Sequence, residues 1–186
     1  MPRTLSESIQ SAHGFRELDG SALCGLPAEL QVGLNEGPVL TALHLVASGI
    51  PEEEAARSLT WKDFEEFCAQ LLRAGGYAVE ENVCLSRPRA QIDLVATGQL
   101  FIISLDCKHW KRAPSYSTLE GFALAQLRRS RLLRRSLNNP RPIISAILSS
   151  SEYAGSFVQG VAIVPLRTLR NFLGMAESYS RLLEES

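Results

Sequence analysis

A chain of 186 residues, 45% of them apolar and with a formal charge of −1, suits one domain of ordinary size around a single substantial core. Its cysteines, Cys24, Cys68, Cys84 and Cys107, are scattered without a CxxC pair or a histidine at ligand spacing, so neither a zinc site nor a disulfide framework is indicated. No stretch approaches the ~18 apolar residues of a membrane span, and MPRTLSESIQSAHGF lacks an apolar core of signal-peptide length, so the expectation is a soluble, cytoplasmic protein with no membrane partner.

Residues 1 to about 24 are polar and rich in Ser and Gly, an irregular lead-in. PAELQVGL and PVLTALHLVASG then carry helical patterns, and Gly49 stops the second. Pro51 opens a further helix with Glu52, Glu53 and Glu54 in its first turn, where acids suit the positive end of the dipole. Residues 1–59 are thus expected to form an arm and a small helical appendage, and 60–186 the main domain. A helix-turn-helix running through Gly49 is an alternative reading of this part, beside dimerisation or simple packing.

From Thr60 the pattern sharpens. Thr60 caps WKDFEEFCAQLLRAGG, with Asp63 three residues on and Gly75-Gly76 at the end. YAVEENVC (77–84), QIDLVA (91–96) and LFIISLD (100–106) read as strands, with turns at Ser86-Arg87-Pro88 and Thr97-Gly98-Gln99. A long helix over roughly 117–137 follows, then strands PIISAIL (142–148) and VQGVAIVP (158–165), and a closing helix. The order is α-β-β-β-α-β-β, then α, an α/β protein with a central sheet flanked by helices.

Charge is unevenly spread. Between positions 108 and 135, eight Lys and Arg side chains face only Glu120, whereas acids gather at 52–54 and 63–66. A near-neutral chain can therefore present one basic face to a polyanion, although an arginine-rich helix can also simply be solvated.

Two acids sit on the strands, Asp93 and Asp106, with Lys108 two residues after the second. A hairpin over 91–106 brings the two carboxylates to one end of the sheet, where they repel unless a cation separates them. Mg²⁺ suits such a place, because it takes few protein oxygens and completes its octahedron with water and phosphate; Mn²⁺ can substitute. Residues two apart on a strand share a face, so Lys108 joins Asp106, where its ammonium can assist an attacking water or offset charge developing on phosphorus.

Here the sequence resembles a family. Phe64-Glu65, Gly76-Tyr77, Ile92-Asp93-Leu94-Val95-Ala96 and Asp106-Cys107-Lys108-His109-Trp110, in that order, look like the PD-(D/E)xK nuclease superfamily, nearest to its Mrr-like restriction endonucleases and archaeal Holliday-junction resolvases. The resemblance spans about residues 60–165. Ile92 stands where the superfamily's name has Pro, and Asp106 where Mrr-like members mostly have Glu. It implies a restriction-endonuclease-like αβββαβ(β) core with a mixed sheet. It also implies a Mg²⁺-dependent DNA endonuclease acting on branched, damaged or foreign DNA, and admits a homodimer. A catalytically inactive DNA-binding or assembly module of the same fold is the alternative.

The helix acid is Glu65. On a helical wheel Trp61, Phe64, Phe67, Cys68, Leu71 and Leu72 form one apolar stripe, Glu65 falls on its flank and Glu66 nearly opposite. Glu65, Asp93 and Asp106 are the expected metal ligands, with Lys108 assisting the attacking water. In the following helix Gln126 lies within the apolar face of Leu119, Phe122, Ala125 and Leu133. It is open to an active-site role, as in related nucleases, or to a structural hydrogen bond. Arg129 lies near enough to reach a phosphate, and Lys111, Arg112 and Arg128 are expected to attract the backbone without reading sequence. Trp110 reads as packing before base stacking, and His109, His13 and His44 are not required by the chemistry.

Overall fold

A computed structural model describes residues 37–137, 141–153 and 157–184; the PAELQVGL pattern and His13 lie outside them. Six strands form one sheet in the order β1-β2-β3-β4-β6-β5. They are β1 (Ala78–Ser86), β2 (Arg89–Thr97), β3 (Ile102–Lys108), β4 (Ile143–Ser149), β5 (Phe157–Val158) and β6 (Val161–Pro165). The first three pair antiparallel, β3, β4 and β6 parallel, and β5 antiparallel to β6. The sheet is therefore mixed, as expected.

The helices are α1 (Pro38–Ala47), α2 (Glu52–Ala55), α3 (Trp61–Ala74), α4 (Tyr116–Ser136) and α5 (Leu169–Glu184). Helix α3 begins in a capping box: Thr60 Oγ1 accepts from the Asp63 amide at 3.2 Å, and Asp63 Oδ2 accepts from the Thr60 amide at 3.2 Å. Such a cap contributes about 1 kcal/mol and fixes where the helix starts. Its buried face, Phe64, Phe67, Cys68 and Leu72, packs on Leu94, Ile103, Leu105 and Cys107 of the sheet. The parallel crossover from β3 to β4 is α4, which covers the other face through Leu119, Ala123 and Leu133.

Two expectations shift. The run 158–165 is a hairpin and not one strand, because Gln159 (φ 52°) and Gly160 (φ 75°) both adopt the left-handed region, the pair of conformations a two-residue turn needs. Between 38 and 59, α2 has only four residues, and Ala55, Ala56 and Leu59 are buried in the same core as Val39, Ala42 and Phe64. No recognition helix is presented there, and the segment 37–59 packs directly onto the start of α3.

Candidate active site

Alternation along β3 sorts its side chains. Ile103, Leu105 and Cys107 point into the core shared with α3, while Ser104, Asp106 and Lys108 meet α4. Gln126 Nε2 donates to the Ser104 carbonyl at 2.8 Å, Arg129 Nη1 to Asp106 Oδ1 at 3.0 Å, and the Lys108 ammonium lies 5.2 Å from the Phe122 ring centre. An acid-x-Lys run at the end of this strand thus places acid and base on one face, as a period of two requires.

Asp106 is 2% exposed. Its charge is compensated twice, by Arg129 on Oδ1 and by Lys108 Nζ at 2.7 Å from Oδ2. The Lys108 contact is an ion pair without hydrogen-bond alignment, so Oδ2 stays a buried acceptor with no hydrogen-bond donor.

Asp93 reaches the same place from β2. The β2–β3 ladder ends at Leu94 and Leu105; beyond it the Cys107 amide donates to Asp93 Oδ2 at 2.8 Å. The strands part, and a carboxylate fills the opening. Burial, more than any neighbour, raises the Asp93 pKa; the Asp106 carboxylate adds to the rise, and the Cys107 amide and Lys108 oppose it.

Glu65 arrives from α3, one turn after the cap, half-buried where Glu66 is exposed. Its pKa is pushed up to about 7, first by burial and then by the Asp93 carboxylate, with Lys108 pulling the other way and Asp106 adding to the rise. The structure therefore gathers Glu65, Asp93, Asp106 and Lys108 from three elements. Among the described residues, no three His, Cys, Asp or Glu side chains stand close enough to enclose an ion by themselves.

Gln126 is fully buried and tied to β3 through both the carbonyl and, at 3.1 Å, the hydroxyl of Ser104; its Oε1 has no partner. It holds the strand two residues before Asp106. Arg129, expected on phosphate, instead spends its guanidinium on Asp106, because the long side chain can follow α4 back to the nearest buried negative charge. Lys111, Arg112 and Arg128 are exposed. Trp110 packs against Phe122, ring centres 5.6 Å apart. His109 stacks on Phe64 at 4.7 Å and lies 3.0 Å from the Leu59 carbonyl through Nε2; a carbonyl only accepts, so Nε2 carries the proton. That pair clamps the end of β3 to the start of α3. Cys107 is held protonated by the adjacent Cys68 thiol and by burial, so it packs and does not react.

Two features were missed in the sequence. Ser104 is a buried polar residue inside an apolar run and reads there as strand filler; only the Gln126 wheel position hints at a partner. Trp61 was assigned to the apolar stripe of α3 but is 67% exposed, because the helix's first residue precedes the point where its stripe reaches the sheet.

Compared with known proteins, residues 56–131 match the Mrr_cat family model, described as a restriction endonuclease. The matched segment runs from the end of α2 through most of α4 and contains Glu65, Asp93, Asp106, Lys108, Gln126 and Arg129. Searches of curated proteins and of solved structures found no match. No helix among the described residues is long and apolar enough to cross a membrane. Family match and mixed six-stranded sheet agree: residues 56–131 are similar to an Mrr-like restriction-endonuclease domain, and the sheet is consistent with the restriction-endonuclease-like fold.

Proposed function

We propose that the protein is a divalent-metal-dependent deoxyribonuclease that hydrolyses phosphodiester bonds at the Glu65, Asp93, Asp106 and Lys108 cluster. The observation that carries this reading is the convergence of Asp93 and Asp106 at the point where β2 and β3 part, with the Cys107 amide on one carboxylate and the Lys108 ammonium on the other.

Mg²⁺ or Mn²⁺ fits these residues. Asp106 Oδ2 is a buried oxygen without a hydrogen-bond donor, and two carboxylates suffice for an ion that takes its other ligands from water and substrate phosphate. Asp93 and Asp106 would hold it, with Glu65 at the rim. When bound, the ion supplies Lewis-acid polarisation of the phosphate and a lower proton affinity for the attacking water.

The chain's own residues do the rest. Asp93 and Asp106 are pre-positioned, the first by a backbone amide and the second by Arg129, so neither has to reorganise when substrate arrives. Lys108 can turn from Asp106 to a non-bridging phosphate oxygen, where charge develops in the transition state. Glu65, with a pKa near neutrality, can take a proton from water at physiological pH and return it to the leaving oxygen. Gln126 keeps β3 from sliding beneath these groups.

A second reading, a DNA-binding module without catalysis, draws on the double compensation of Asp106 by Lys108 and Arg129, which leaves the charge balanced without an ion. Calorimetric titration with Mn²⁺, paired with incubation of supercoiled, branched and single-stranded DNA in Mg²⁺, separates the two. Metal uptake together with strand scission supports the nuclease. DNA binding with no metal uptake and no scission would leave the module.

A further inference from the structure

An open groove of about 1410 Å³ is formed by the 51–61 segment that leads into α3, the 109–113 segment after β3, residues 150–152 after β4, and Arg167. Its charged residues divide in two. Arg167 is bound to Glu152 at 2.6 Å and its backbone amide donates to Glu53 at 3.1 Å, so that part carries one more acid than base. Arg57, Lys111 and Arg112 are exposed and, among the described residues, have no ion-pair partner; the exposed acid left in the groove is Glu54. The groove is net positive.

Trp61 stands in this groove with its indole in the open. A large apolar ring left 67% exposed beside three free cations is the pairing that binds single strands, in which stacking holds a base and cations hold phosphates. Its place on α3 links it to the chemistry. Trp61 and Glu65 are four residues apart and so share a helix face, about 6 Å along the axis. A base stacked on Trp61 therefore lies about one nucleotide from the acidic cluster. Bases inside a duplex present no free face, so the ring can be used only by a base that is unpaired or has been turned out.

We propose that Trp61 is a stacking platform for an unpaired base next to the phosphate held at the acids, with Arg57, Lys111 and Arg112 along the strand's backbone. The proposal rests on nucleic acid being the substrate and narrows it to DNA with single-stranded character.

The test uses the full chain and a thymidine oligonucleotide without divalent ions, so that nothing is cut. The protein has two tryptophans, and Trp110, packed on Phe122, also borders the groove, so quenching on binding should fall by the Trp61 share in Trp61→Phe, and quenching unchanged in that variant overturns the platform. Trp61→Ala should weaken oligonucleotide binding about tenfold, as expected for one lost stacking contact, with Trp61→Phe recovering most of it. Binding to a blunt duplex should change less than about twofold, the scatter expected of a surface substitution. Equal affinity of Trp61→Ala and wild type for the oligonucleotide, or an equal loss on the duplex, overturns the platform. The two readings fail separately: wild-type scission alongside unchanged Trp61→Ala binding removes the platform alone, and Trp61-dependent binding by a protein that cuts nothing removes the nuclease alone.

Discussion

The carboxylate of Asp93 accepts the backbone amide of Cys107, the residue between Asp106 and Lys108, at 2.8 Å. One contact thereby fixes the distance between β2's acid and both charged groups of β3. It also separates structure from chemistry at this position. Asp93→Asn keeps an oxygen for the amide and removes a charge that burial disfavours, so its stability should equal or exceed that of wild type. Asp93→Ala should lose about 1–3 kcal/mol for the stranded amide. Both should fail to take up Mn²⁺. Chemical denaturation and calorimetry check this; an Asn variant as destabilised as the Ala variant would contradict the role of the amide.

Arg129 holds Asp106 from α4 at 3.0 Å. Its removal leaves Lys108 as the sole counter-charge of a carboxylate that is 2% exposed. Arg129→Met should cost about 1.5–3 kcal/mol, the range for a hydrogen bond to a charged group, measured by urea denaturation. Arg128→Met, one residue away and exposed, should change stability by less than about 0.5 kcal/mol.

Glu65 gives the pH dependence. Its folded pKa of about 7 lies above the ordinary 4.5, so the folded chain binds the proton more tightly than the unfolded one. Stability is full below about pH 4.5 and falls as pH rises towards about 7, where the buried charge is complete. Glu65→Gln never acquires that charge. Its thermal midpoint should match wild type at pH 4 and exceed it at pH 8, while scission is lost. A saturating divalent ion should narrow the gap at pH 8 by stabilising the wild type alone. Equal midpoints at pH 8 without metal would show that Glu65 is not strained in the site.

Lys111 and Arg112 are exposed on the segment after β3. If each neutralises one phosphate, each substitution to Ala should weaken DNA binding regardless of sequence and lower the slope of log affinity against log salt by about 1. Fluorescence anisotropy over a salt series reads this directly. An unchanged slope in both would place the strand elsewhere.

Most of the frame was legible in the sequence because it rests on local chemistry. The Thr60 cap, the Gly75-Gly76 stop, the alternation of LFIISLDCK and the breaker at Gly98 each act over a few residues, and together they brought Asp93 beside Asp106. The wheel placed Glu65 at the flank and Gln126 inside because helical period alone sets those directions. What the sequence hid depends on distance. Arg129 looks like any other arginine of α4 until a buried carboxylate is known to lie within reach. Trp61 continues an apolar stripe on paper, but whether the sheet extends far enough to cover it is decided by tertiary packing. Residues 158–165 read as one strand because the apolar run masks the Gln159-Gly160 turn, whose left-handed pair is a weaker signal than Asn-Gly.

The central claim is that the Asp93, Asp106 and Lys108 cluster cuts DNA. Single-turnover scission in Mg²⁺, with wild type, Asp93→Asn and Lys108→Ala prepared alike, tests it most directly. Asp93→Asn should show no scission. Lys108→Ala should be slowed by at least about 100-fold, the scale for losing one group that stabilises transition-state charge, with DNA affinity little changed. Scission at the wild-type rate by either variant would contradict the claim.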